Sequence, residues 1–199
     1  GLATTHEEPL THIMKNYIQS YKDLPVYPYQ FQTKFRNELR ARSGLLRTRE
    51  FIMKDLYSFN RTREALDNYY EKVVDAYHKI FERLEIGNET FITFASGGPF
   101  SKYSHEFQTI CKNGEDTIYL DREKEIAINK EVLSPEVIED LDLNKEDLKE
   151  VAAIEVGNIF KLGTRFSEAL DLKYTDKNGE KQFVVMGSYG IGPARVMAT

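Results

Sequence analysis

Seven β-type runs follow one another along this chain, and their spacing restricts the fold more than any other feature. Residues rich in aromatic and β-branched types recur at 26–39, 49–59, 89–95, 106–111, 116–120, 152–160 and within 170–192. Parallel neighbours need a crossover of a dozen or more residues, usually a helix. Only one strongly periodic helix interrupts the series, at 63–86. There Leu66, Tyr70, Val73, Val74, Tyr77, Ile80, Phe81 and Leu84 form a single apolar stripe behind a capping Thr62. A one-sided helix has to bury its stripe against another layer. The expectation is an α+β fold, an antiparallel β-sheet flanked by helices, and not a doubly wound parallel sheet.

Finer expectations attach to particular stretches. The spacing of Ile13, Met14, Tyr17, Ile18 and Tyr21 predicts a helix over 8–21 with Pro9 in its first turn. The runs 26–39, broken by Pro28, and 49–59 make a long hairpin with a cationic tip around Arg42, Ser43 and Gly44. Segment 121–150 is acidic, has little apolar periodicity and reads as a short surface insertion. Residues 170–192 fold back about Asn178 and Gly179. The stretch GSYGIGPAR, 187–195, joins a strand to a helix opened by Pro193.

With 199 residues and 41% hydrophobic content, the chain can bury one substantial core or form one domain plus an appendage. Lys+Arg 27 against Asp+Glu 32 gives a formal net charge of -5, which argues against a general electrostatic grip on nucleic acid. Cys111 is the one cysteine, so no intramolecular disulfide can form; a buried, inert thiol in a reducing compartment is expected. No apolar run approaches a membrane span, and the opening GLATTHEEPL lacks a signal-peptide pattern. A cytoplasmic location without membrane contact is therefore expected. Gly1 at the start, and Thr199 inside helix-forming sequence at the end, lead us to expect a piece of a longer protein.

Against the negative total, RNELRARSGLLRTREF (36–51) gathers Arg36, Arg40, Arg42, Arg47 and Arg49. On a strand, residues two apart share a face, so Arg36 with Glu38, and Arg47 with Arg49, are each expected on one side of the hairpin. A solvated face or a cross-strand ion pair is the plain reading. A polyanionic ligand is the other, because guanidinium grips phosphate oxygens in a bidentate fork at any physiological pH. The glycines of 187–195 would let backbone approach such a ligand, with Arg195 in the first turn of the helix. That stretch has no G-K-[ST] and fits no known nucleotide loop. His6, His12, His78 and His105 show no metal-ligand spacing.

Five blocks, in order, carry a resemblance that covers nearly the whole chain. FRNELRARSGLLRTREFIMKDLYSF (35–59) resembles motif 2 of the class II aminoacyl-tRNA synthetases, and GSYGIGPAR resembles motif 3. THEE (5–8), SHEF (104–107) and EVGNIFKLGTRFSEAL (155–170) are similar to the bacterial-type prolyl-tRNA synthetases. The resemblance implies that 1–199 is part of a class II catalytic core. It implies ATP-dependent activation of L-proline to prolyl-adenylate, transfer to tRNA(Pro), Mg²⁺ alongside ATP, and a homodimer in the full-length protein.

Roles are implied residue by residue. Thr5 and Glu7 hold proline, with Glu7 toward its secondary ammonium, and Phe160 walls that pocket. Arg36 bridges the proline carboxylate and the α-phosphate. Glu38 faces the adenine end, and Arg47 and Thr48 make further ATP contacts. Glu155 and Asn158 line the nucleotide site, Glu155 also as a Mg²⁺ contact, and Arg195 meets the γ-phosphate. Arg36 and Arg195 are the implied catalytic residues. Attack of a carboxylate on phosphorus brings two anions together, so positioned cations suffice and no protein nucleophile is needed.

Departures from the pattern accompany the resemblance. Asn158 stands where bacterial members commonly have histidine, and GGPFSKYSHEF is longer than the usual GGSDSHEF. Segment 121–150 stands in place of a large editing domain, and motif 1 and an anticodon-binding domain are missing from the chain. One rival is a synthetase-like binding or regulatory module that has lost activation; loss of Arg36, Glu38 or Arg195 would favour it, and all three are present. A non-catalytic nucleic-acid-binding piece is the other, and the -5 charge weighs against it.

Overall fold

The computed structural model describes residues 2–41, 43–97 and 103–199. Arg42 of the cationic tip, and residues 98–102 of the lengthened block before SHEF, lie outside the described residues. The elements are α1 (Glu7–Met14), β1 (Tyr29–Phe35), β2 (Glu50–Asn60), α2 (Arg63–Arg83), β3 (Thr90–Ser96), β4 (Tyr103–Ile110) and β5 (Asp116–Asp121). They continue with β6 (Ile126–Asn129), α3 (Pro135–Asp140), β7 (Lys149–Gly163), α4 (Arg165–Ala169), β8 (Lys173–Thr175), β9 (Lys181–Phe183), β10 (Val185–Ile191) and α5 (Pro193–Ala198).

Eight strands form one sheet in the order β1-β2-β10-β7-β4-β3-β6-β5. Its pairings are antiparallel except β3 with β6. β5 also pairs with the start of β7, so β7, β4, β3, β6 and β5 close into a ring. The α2 stripe does what its spacing requires. Leu66, Tyr70, Val73, Tyr77 and Phe81 are buried, most of them against Phe107, Ile159 and Tyr189 of the sheet. Thr62 Oγ1 accepts from the Ala65 N–H at 3.1 Å and caps the helix. Each such side chain contributes roughly 1.5–3 kcal/mol on burial, which fixes α2 to one face. Met14, Ile18, Tyr57, Phe59 and Leu172 form a second cluster.

The sheet differs from the sequence expectation where non-local pairing decides. α1 ends at Met14, because the Asp23 carboxylate accepts the N–H groups of Gln19 (3.0 Å) and Ser20 (2.8 Å) and holds a capped turn there instead. Ile18 is nevertheless buried, so its apolar spacing encodes burial rather than helix. β1 ends at Phe35: the Arg36 N–H donates to Arg49 O, and the Glu38 N–H turns back onto Arg36 O at 2.8 Å. Arg36 and Glu38 therefore do not share a strand face, and Arg47 and Arg49 precede β2 rather than lying in it.

Segment 121–150 is more than a surface connection. It supplies β6 to the sheet and a small core of Ile128, Val137 and Leu143, with Val132, Leu133, Ile138, Leu141 and Leu148 packed around it. The expected hairpin at 170–192 divides: β8 and β9 turn at Asn178–Gly179 as a separate two-stranded sheet, and β10 joins the main one. Cys111 is half-buried rather than buried.

Candidate functional site

A cavity of about 400 Å³ opens on the sheet face opposite α2. Along its base runs a row of paired positions: Asp55 on β2 opposite Gly190 on β10, and Gly190 opposite Asn158 on β7. Glu106 on β4 extends the row beyond Asn158. All ten residues that the sequence reading singled out line this one cavity.

The amine-binding candidates sit at one end. Glu7 opens α1, and its carboxylate accepts from Ser188 Oγ at 3.1 Å and from the Thr5 hydroxyl. Phe160 lines the wall beside them. Beneath lies a buried ion pair: Lys34 is 1% exposed, Asp55 is 4% exposed, and the ammonium donates to Asp55 Oδ2. Arg36 stands exposed at the rim, its Nε donating to Thr4 O at 3.3 Å and its guanidinium 5.1 Å from the Phe51 ring centroid.

At the other end Arg47 and Arg195 stand paired with carboxylates. Arg47 donates to Glu115 Oε2 at 2.8 Å and to Glu38 Oε2 at 3.2 Å; the Glu115 contact chiefly raises its already high pKa. Arg195, in the first turn of α5, donates through Nη1 to Glu155 Oε2 at 2.7 Å and through Nε to Leu46 O at 3.1 Å. Thr48 lies on the same wall. Glu155 Oε1 accepts from Asn158 Nδ2 at 2.9 Å. Behind them Glu106 accepts from Gln108 (2.9 Å) and Asn129 (3.1 Å), and burial, followed by the charge of Glu155, pushes its carboxyl up to about 7.

One placement depends on irregular backbone. Strand alternation alone would point Glu155 and Asn158 to opposite faces. The β4–β7 register shifts between Phe107 and Gln108, leaving Val156 as an extra residue, so both side chains share the cavity face. The glycines of 187–195 also divide. Gly190 and Gly192 line the cavity, whereas a Cβ on Gly187 would meet Leu66 of α2, 2.8 Å away.

Sequence reasoning missed Phe51, Met53, Asp55 and Ser188, which all line the cavity. Alternation along β2 could have found the first three together; no local signal pairs Asp55 with Lys34. Asn158 Oδ1 and Gln108 Oε1 are buried without a hydrogen-bond partner. Among the described residues, no three acidic, histidine or cysteine side chains gather as a metal cage. The arrangement suits an amphoteric molecule with a cationic end near Glu7 and an anionic partner near Arg36, Arg47 and Arg195.

Comparison with known proteins points the same way. A proline--tRNA ligase of Anaplasma marginale is 36% identical over 208 residues, covering 98% of this chain and 48% of that protein. One from Anaplasma phagocytophilum is 38% identical over 214 residues, covering 98% and 49%. The chain thus spans about half the length of the curated relatives it matches. Among solved structures, Giardia lamblia prolyl-tRNA synthetase in complex with prolyl-adenylate superposes with a TM-score of 0.72 at 21% identity, covering 98% of this chain and 32% of that one. The Cryptosporidium parvum prolyl-tRNA synthetase complexed with L-proline and AMP gives 0.68 at 17%, with 98% and 33% covered. The sequence pattern of the tRNA synthetase class II core domain (G, H, P, S and T) extends over residues 1–199, and the chain belongs to that family.

Proposed function

We propose that this chain is the catalytic core of a proline--tRNA ligase, which activates L-proline with ATP as prolyl-adenylate, releasing pyrophosphate, and passes the prolyl group to tRNA(Pro), releasing AMP. The observation that carries the reading is the polarity of one cavity: Glu7 and Thr5 at one end, Arg47 and Arg195 at the other, and Arg36 at the rim. Glu7 binds the secondary ammonium of proline, and Phe160 packs on its ring. Arg36 holds the proline carboxylate against the α-phosphate, so the attack becomes effectively unimolecular. Its guanidinium, with that of Arg195, stabilises charge developing on the phosphoryl oxygens, and Arg195 exchanges Glu155 for the γ-phosphate. Glu38, Arg47 and Thr48 seat the remainder of ATP.

The donor set fits Mg²⁺: Glu155 and Asn158 offer hard oxygens, and Asn158 Oδ1 is buried without a partner. Held at Glu155 and by phosphate oxygens, Mg²⁺ would neutralise phosphate charge. In this reading the full-length protein is a cytoplasmic homodimer, and segment 121–150 is a short insertion in place of an editing domain. Proline-dependent exchange of pyrophosphate into ATP tests the reading. Exchange with proline and none with other amino acids is expected; its absence in the protein that carries this sequence refutes it.

A further inference from the structure

We infer that His6 is a specificity determinant of the amine end of the cavity: seated beside Glu7 and the Lys34–Asp55 pair, it governs whether Glu7 remains the uncompensated charge that selects a cationic amino group. This rests on the reading that the cavity takes an amino acid with its amine toward Glu7. His6 lies between Thr5 and Glu7, and its Nδ1 is buried without a hydrogen-bond partner. That nitrogen is 3.9 Å from Asp55 Oδ2, the same oxygen that receives the Lys34 ammonium.

The charged and titratable groups facing the imidazole are Lys34 from β1, Asp55 and Tyr57 from β2, and Glu7 from α1. Lys34 and Asp55 cancel, and burial keeps the Tyr57 phenol protonated by raising its pKa. With His6 neutral the group carries one net negative charge, which matches a secondary ammonium. With His6 protonated the group is neutral overall and its pull on a cation is lost. Burial and then Lys34 lower the imidazole pKa below its ordinary value, while Asp55 and Glu7 oppose them. The neutral form therefore prevails at pH 7.

Binding of a cation and protonation of His6 oppose each other, and the coupling is reciprocal. The test follows the ring protons of His6 by NMR through a pH titration of the protein that carries this sequence, alone and then with saturating proline. The inference requires a midpoint below 6.5 without ligand and a further fall with proline. Calorimetry in parallel should find proline affinity falling about tenfold or more as the wild type is acidified through that midpoint. His6→Asn should flatten this fall, and His6→Lys should weaken proline binding at pH 8 without a comparable change in ATP binding.

A ligand-free midpoint above 6.5 overturns the inference by itself. So does a midpoint that proline leaves in place while calorimetry records proline bound. Absence of proline binding at every pH, with the ligand-free midpoint low, refutes the functional reading and with it the selectivity assigned to His6.

Discussion

Replacing Asp55 with asparagine should destabilise the fold far more than its small change of shape suggests. Lys34 is 1% exposed and Asp55 4% exposed, so the Lys34 ammonium cannot reach water when its partner is lost. Removing one member of a buried pair costs about 3–5 kcal/mol, because the remaining ion keeps its desolvation penalty without the compensating attraction. For a domain of this size each kcal/mol moves Tm by about 2–4 °C, so a fall of roughly 6–20 °C is expected for Asp55→Asn. The control is Lys34→Met with Asp55→Leu. It removes both charges and should recover most of the loss, since a hydrophobic pair of similar volume is often neutral or stabilising. Urea unfolding of wild type, both single variants and the double gives the coupling energy directly. An Asp55→Asn protein within about 1 kcal/mol of wild type, or single costs that simply add in the double, would refute the reasoning.

Other outcomes are open to measurement. Arg36→Ala should abolish proline-dependent pyrophosphate exchange, a loss of several kcal/mol of transition-state stabilisation, without lowering Tm, because Arg36 is exposed; an active variant or an unfolded one contradicts this. Gly187→Ala should cost about 1–3 kcal/mol in urea unfolding by overpacking against the Tyr189 hydroxyl, the nearest atom to the added Cβ, and against Leu66 and Ser58, both 2.8 Å from it. Gly190→Ala, whose nearest neighbour is Met53 Sδ at 3.3 Å, should cost less. Burial, and secondarily Lys161, lowers the pKa of His105 from 6.5 to about 4. The folded state binds that proton less tightly than the unfolded one, so stability is complete above 6.5 and lost as pH falls toward 4, by on the order of 3 kcal/mol. His105→Asn should flatten that slope in pH-dependent melting. In the proposed reading the pocket takes proline, alanine clashes with nothing in it, and each missing methylene discriminates by only about 1–3 kcal/mol. Preformed alanyl-tRNA(Pro) should persist at its spontaneous rate with the protein present, and faster hydrolysis would place editing within it.

The residues that meet in the cavity were indicated by the resemblance to the prolyl-tRNA synthetases, whereas local pattern carried the antiparallel class and the buried stripe of α2 with its Thr62 cap. Those properties depend on which side of an element is apolar and on the order of short connections, both written in consecutive residues. Tertiary pairing decided the rest. Alternation places Arg36 beside Glu38 on a strand, but the Arg36 N–H meets Arg49 O and β1 stops at Phe35. Helical spacing carries α1 to Tyr21, yet the Asp23 carboxylate closes a turn and Ile18 is buried outside the helix. Glu155 and Asn158 share a face because β7 accommodates an extra residue opposite β4. Lys34 and Asp55 meet from positions 21 residues apart. Periodicity assigns a side chain to a face, whereas register, bulges and charge partners are set by a neighbouring strand that no local window contains.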